Sequence, residues 1–293
     1  MANMANLRLS TKQQRRLNQT AGYLTMAAIV LLIGLPVWWM LSASLKTSRE
    51  IYTFPPDWFP RDPRWSNFKD AWQSAPFGRF YLNSIITTVG GSALEVTNAT
   101  LSAYALAFLR FPFKNVVFAI LLAALMIPAQ VTVLPNYVFF GATVFDLIGE
   151  SWINTYQAII LPGASVAFGT FLLRQSFLGL PREVLDAAKV DGAGHLRTLW
   201  DVVLPMARPV LVTFGLISVV AKWNDYLWPL VITQTEDMRT LTVGISMFFD
   251  QEGNTDWGIV MAATVFVILP LLVVFVFAQR FIIEGLTSGA TKG

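Results

Sequence analysis

Four stretches of this chain carry no charged side chain: those between Arg16 and Lys46, Lys114 and Asp146, Glu150 and Arg174, and Asp256 and Arg280. Each brackets enough apolar sequence to cross a bilayer, which takes about 20 helical residues. Two further stretches, 80–109 and 209–233, are apolar apart from isolated charges, Glu95 in the first and Lys222 and Asp225 in the second. The sequence therefore predicts an all-α, multi-pass membrane protein with six transmembrane helices, at 20–45, 79–109, 115–141, 153–176, 206–232 and 257–280. Composition agrees: 55% of residues are hydrophobic, 13% are charged and the mean hydropathy is +0.55, far from the balance of a soluble domain.

Arg15 and Arg16 precede the first run as they would a signal peptide. Its apolar core exceeds the roughly 7 to 15 residues of such a leader and no small-residue cleavage site follows, so an anchor is expected. The chain has no cysteine and one histidine, His195, which excludes disulfides, thiolate metal sites and clustered imidazole ligands. No metal site, no catalytic constellation and no nucleic-acid partner is expected.

With both termini in the cytoplasm, Arg15, Arg16, Arg110, Lys114, Arg182, Lys189 and Arg197 fall on the inner side, as the positive-inside rule requires. The inner segments are then 1–19, 110–114, 177–205 and 281–293, and the outer loops 46–78, 142–152 and 233–256. The first outer loop mixes Lys46, Arg49, Arg61, Arg64 and Lys69 with acids, and the later ones are acidic. Trp38, Trp39, Trp152, Trp228 and Trp257 fall where interfacial aromatics are expected, although packing bulk explains any one of them equally. The prolines of "FPPDWFPRDPRW" make that loop irregular, while Pro128, Pro135 and Pro162 fall inside spans and predict kinks that neighbouring helices must accommodate.

The one long polar interruption is "PREVLDAAKVDGAGHLRTLWDVVLP", residues 181–205. Pro181 and Glu183 suit a helix start, Gly192 a stop, and a second short helix is expected over about 193–203, with Pro205 separating it from the fifth span. Val184, Ala187, Ala188 and Asp191 share a face, and Ala188 and Gly192 lie one turn apart, allowing a close backbone approach. The residues alone fit equally well a solvated face on which Asp186 pairs with Arg182 or Lys189.

Asp186-Ala187-Ala188, three residues, Gly192, nine residues and then Val202-Val203-Leu204-Pro205 resembles the EAA motif of ABC importer permeases. Asp186 stands for the usual Glu and Val202 for Ile. The resemblance implies the type I ABC importer permease fold and makes this segment a coupling region. Glu183, Asp186, Ala187, Ala188, Asp191, Gly192, Leu204 and Pro205 would then dock an ATP-hydrolysing subunit. The tail "QRFIIEGLTSGATKG" is similar to that of maltose-type carbohydrate permeases, which implies contacts of Gly285, Leu286, Thr287, Gly289 and Lys292 with the ATPase dimer. Within that class, "ALMIPAQVTVLPNY", "SVAFGTFLLRQSFLGLPREVLDAAKVDGAG" and "KWNDYLWPLVI" look most like permeases for glycerol-3-phosphate or a glycerophosphodiester such as glycerophosphocholine. A di- or oligosaccharide is the alternative cargo.

The chain lacks G-x-x-x-x-G-K-[ST] and has no Gly-Lys pair within its body, so it holds no phosphate-cradling loop. The resemblance accordingly implies that ATP and Mg²⁺ bind a dimer of ATP-binding subunits, with a second homologous permease and an external solute-binding protein completing the importer among membrane lipids. An ion-coupled secondary transporter is the competing class, because intramembrane ionisable groups often mark a pathway. Lys222 and Asp225 either neutralise each other or sit in headgroup water, and Glu95 is either an interhelical acid or a substrate contact. Trp223, Asn224 and Tyr226 join them as pathway candidates, suited to a polyol or sugar. The outer-loop residues Phe248, Phe249, Asp250 and Glu252 resemble the family's contact with the binding protein.

Overall fold

The computed structural model describes residues 11–164, 167–249 and 255–290, with 280–290 described as backbone only. The regular elements among the described residues are helices, and the chain separates into two compact units, one of residues 1–71 with 251–265, the other of 72–250 with 266–293.

In the first unit, helix α1 (Thr11–Ala43) leaves its apolar side chains uncovered from Leu17 to Leu35, as a lipid-facing helix would. Where it ends, Lys46 is fully buried, lies 4.4 Å from the centre of the Trp39 ring and donates its Nζ to the carbonyl of Asp57. Burial lowers the Lys46 pKa, against the opposing pull of Glu50 and Asp57. Asn67 Nδ2 donates to the carbonyls of Ser44 (3.0 Å) and Lys46 (2.8 Å), and Ser42 Oγ to that of Trp58 (2.8 Å). The proline-rich stretch that these bonds pin down, 52–65, is irregular as its composition requires.

The second unit is organised by α2 (Phe77–Phe108), a 32-residue helix. Its polar side chains Asn83, Ser84, Thr87, Thr88, Ser92 and Thr100 are buried. Asn83 is satisfied inside the unit: Nδ2 donates to the carbonyls of Asp237 (2.7 Å) and Arg239 (2.8 Å), and Oδ1 accepts from Tyr156 Oη (2.6 Å). Helices α3 (Lys114–Ala124), α4 (Ala129–Ile148), α5 (Tyr156–Ile160) and α6 (Ala167–Leu178) follow. Next come α7 (Arg182–Val190), α8 (His195–Met206), α9 (Arg208–Trp223), α10 (Leu227–Ile232) and α11 (Trp257–Ala290), of which residues 257–265 belong to the first unit.

One core joins α2, α6 and α9 to α7 and α8 through Ala99, Ala103, Leu173, Phe177, Leu185, Leu199, Val203 and Phe214. A second joins α4, α5 and α10 through Phe140, Val144, Ala158, Ile159, Trp228 and Ile232. Trp228 is therefore a core residue, its Nε1 donating to the Ala158 carbonyl at 2.9 Å, and packing rather than an interfacial position accounts for it.

Three helices among the described residues are long and apolar enough to cross a membrane, Gln14–Ala43, Ala129–Ile148 and Trp257–Gln279; the pair α8–α9, bent by 86°, would add a fourth only if it were one span. The other expected spans look different for physical reasons. Residues 79–109 form a helix of sufficient length whose hydropathy is diluted by the buried polar groups of α2. Residues 115–141 are interrupted at 125–128, where Pro128 lacks an N–H and disfavours helix at Ile127. Residues 153–176 are interrupted after Ile160, next to Pro162. Pro135 causes no break, because it falls in the first turn of the α-helical part of α4, Val133–Val138, where no intrahelical N–H is required.

Pro205 was expected to separate the second polar helix from the fifth span, and it does not. Helix α8 runs through it to Met206, because the preceding turn, Leu199–Val203, is π-helical and absorbs the missing N–H. The chain turns instead at Ala207, by 86°.

A candidate coupling segment and transport cleft

Helix α7 begins directly after Pro181 and carries Glu183 in its first turn, where a carboxylate meets the positive end of the helix dipole. Its end is a Schellman motif: Gly192 N–H donates to Lys189 O (3.0 Å) and Ala193 N–H to Ala188 O (2.9 Å). This closure places Gly192 at φ +74°, a region that costs a residue with a Cβ. Asp191 is the last residue before the turn.

The face expected to meet a partner is split. Leu185 is buried in the unit's own core with Leu204 packed against it, and Ala188 is buried too, whereas Glu183, Asp186, Ala187, Asp191, Gly192 and Pro205 are exposed. Asp186 Oδ1 accepts from Lys189 Nζ at 2.7 Å, both side chains being about two-thirds exposed. The solvated pair thus forms with Lys189, and it leaves Asp186 on the surface. Lys189's hydrogen bond and charge hold the Asp186 carboxyl below the ordinary aspartate range. A depressed pKa means that the pair's contribution is present above the ordinary aspartate pKa and is lost as pH falls through the depressed value. Lys189→Gln should therefore move the Asp186 titration upward, which carboxyl-carbon NMR on aspartate-labelled protein would read.

Sequence reasoning missed three exposed apolar side chains on this segment, Val190, Leu196 and Trp200. Leu196 and Trp200 are one turn apart on α8, an i, i+4 spacing that was available to find them. His195 is exposed with Nδ1 3.3 Å from Tyr104 Oη. Gly285, Leu286, Thr287 and Gly289 lie on the continuous backbone of α11, and Lys292 lies outside the described residues.

A second polar feature lies where helices are interrupted. A cleft of about 690 Å³ opens beside the breaks at 125–128, 161–164 and 224–226, lined among others by Gln130, Thr132, Asn136, Gly163, Lys222 and Asp225. Lys222 reaches it past Gly91 and Gly163 and donates to the Gly163 carbonyl. A Cβ on Gly163 would lie 2.7 Å from Nζ, so a side chain there would push the lysine tip aside. Its ion pair is with Glu95 Oε2 at 3.3 Å, and Ser218 Oγ donates to that same oxygen at 2.6 Å. Lys222 therefore takes Glu95 rather than Asp225 as its salt-bridge partner: α9 ends at Trp223, and Asp225 falls beyond the break. Both side chains of the pair are mostly buried, 20% exposed for Lys222 and 15% for Glu95.

Of the six pathway candidates, only Lys222 and Asp225 line the cleft. Trp223 is buried with Nε1 donating to Val267 O at 3.0 Å, Asn224 donates to Val220 O at 2.8 Å, and Tyr226 is exposed. Gln130, Thr132 and Asn136 were not anticipated, though amides beside Pro128 and Pro135 in an apolar run were a readable signal. In the loop before α11, Phe248 packs on Phe77 with ring centres 5.8 Å apart and Phe249 is about half exposed. Asp250 and Glu252 lie outside the described residues.

Similarity to known proteins matches this architecture. The sn-glycerol-3-phosphate transport system permease protein UgpE of Yersinia pestis bv. Antiqua (strain Antiqua) is 34% identical over 266 residues, covering 88% of this chain and 92% of that protein. A solved bacterial ABC transporter involved in the import of the acidic polysaccharide alginate contains a chain with the same fold, at TM-score 0.77 and 23% identity, covering 93% of this chain and 98% of that one. A bacterial alginate ABC transporter in complex with an alginate pentasaccharide-bound periplasmic protein gives TM-score 0.68 at 17% identity, covering 92% and 95%. The binding-protein-dependent transport system inner membrane component family matches residues 96–287, well over half the chain, and the protein belongs to that family as a multi-pass transport subunit of the cytoplasmic membrane.

Proposed function

We propose that this protein is one of two membrane subunits of an ATP-driven importer for glycerol-3-phosphate or a glycerophosphodiester such as glycerophosphocholine. It spans the membrane six times with both termini in the cytoplasm. Helices α7 and α8 dock onto one of two ATP-binding subunits, which hold ATP and Mg²⁺, and an external solute-binding protein delivers cargo to the opposite side. The exposed Asp186 on a helix closed by Gly192, joined through a turn to the bent α8–α9 pair, carries this reading. ATP-driven closure of the partner dimer would move α7, and the shared core would pass that motion to α6 and α9.

In the cleft, Gln130 and Asn136 suit the hydroxyls of a polyol, and Lys222 is the cation present for a phosphate oxygen. Because Lys222 already has a carboxylate partner, a neutral sugar is the second reading, favoured by those same amides. Asp186→Lys and Gly192→Pro are expected to leave the protein inserted while the ATP-binding subunit fails to copurify and transport falls at least about tenfold, the scale of a loss of about 1.4 kcal/mol or more at the docking site. Normal substrate-stimulated ATPase activity in both variants would refute the docking assignment. Binding of glycerol-3-phosphate, glycerophosphocholine and maltose to the cognate binding protein separates the two cargo readings.

A further inference from the structure

We infer that the turn between α2 and α3 binds the phosphate headgroup of an anionic phospholipid such as phosphatidylglycerol. The turn, 109–113, connects two apolar helices and packs beside the core that joins α2 to α7 and α8. It thus lies at the level where membrane helices end on the coupling side. Arg110 and Lys114 line a shallow groove of about 390 Å³ there, flanked by Phe111 and Phe113.

Two of the cations near this groove, Lys114 and Arg174, are held in place. Lys114 Nζ donates to the carbonyls of Leu109 (2.9 Å) and Ala107 (3.2 Å). Arg174 Nε donates to that of Leu106 (3.1 Å), with its guanidinium 4.1 Å from the centre of the Phe118 ring. Those acceptors are neutral. Among the described residues, no carboxylate forms an ion pair with Arg110, Lys114 or Arg174. The carboxyl end of α2 offsets about half a charge, so most of the positive charge remains uncompensated. Burial first and repulsion from Arg174 second lower the Lys114 pKa, and a bound anion would offset the repulsion.

The surroundings favour a lipid over a soluble anion. Phe113 is 77% exposed and Val116 is 54% exposed beside the groove. An aromatic side chain at a basic helix end is what the boundary between headgroups and acyl chains accommodates. Charge and apolar surface together match a phosphate attached to a hydrocarbon tail.

The test uses the protein purified from membranes with its associated subunits, stripped of lipid in neutral detergent. Phosphatidylglycerol and phosphatidylcholine are titrated separately and retention is read by native mass spectrometry. Wild type should retain phosphatidylglycerol preferentially. R110Q should lower that preference about fivefold and R110Q with K114Q about 25-fold, the scale set by each basic residue at a membrane surface. R110Q leaves the Lys114 bonds to α2 intact, and unchanged phosphatidylcholine retention controls for folding. An unchanged preference in R110Q and in the double variant would overturn the proposal. So would loss of the ATP-binding subunit with lipid still bound, which would give the surface to a protein partner. Displacement of the lipid by equimolar inorganic phosphate would equally overturn it, since the site would then read phosphate alone.

Discussion

Lys222→Met should cost about 3–5 kcal/mol of stability, the usual penalty for removing one partner of a buried ion pair. The variant strands the Glu95 carboxylate at an interhelical position with Ser218 Oγ as its remaining donor. It also removes the donor to the Gly163 carbonyl, next to the break between α5 and α6. A large fall in the unfolding temperature in detergent, with reduced yield, is the expected readout. Adding Glu95→Gln should restore most of the loss, because the carboxylate and its desolvation are then both gone. Wild-type stability in Lys222→Met alone would mean that the pair does not form. The double variant has a second use: if it folds and still fails to transport, the Lys222 charge itself serves the cargo.

Gly169→Ala is expected to be nearly as damaging, by a different mechanism. A Cβ at Gly169 would stand 2.1 Å from Phe214 Cζ and 2.7 Å from Ala99 Cβ, where α6 meets both α2 and α9. Phe214 is 1% exposed and Ala99 is fully buried, so neither has open space to move into. Overpacking of this kind costs about 1–3 kcal/mol. Phe214→Leu should be destabilising alone yet partly rescue Gly169→Ala, with a coupling of about 0.5–3 kcal/mol in a double-mutant cycle on thermal unfolding. Strict additivity would show that the helices separate at this crossing.

How much of this was readable depended on the range of the interactions. The end of α7 was legible because a Schellman closure is local: Gly192 follows a helical stretch and nothing distant decides it. Pro128 and Pro162 likewise sit beside the breaks they foretold. Pro205 misled, because a π-turn upstream changed which N–H the helix needed, and no residue type announces such a turn. One of the two readings of Glu95, an interhelical acid, is what the structure shows, but its partner Lys222 could not be read, since the pair joins two helices that pack through Gly169, Phe214 and Ala99. The nearest opposite charge in sequence, Asp225, was the natural guess, and the end of α9 at Trp223 removed it.

The near-right-angle corner at Ala207 has a mechanical implication. Ala207 and Val203 are both buried at the joint, which resists bending as a packed core resists deformation. A stiff elbow of 86° rotates the direction of any push it receives. A shove on α8 parallel to the length of α9 swings the far end of α9 sideways. With about 1.5 Å of rise per residue, the 16 residues of α9 form an arm somewhat longer than the 12 of α8, so the stroke arrives slightly enlarged. The far end of that arm is Lys222 and Trp223, at the margin of the cleft.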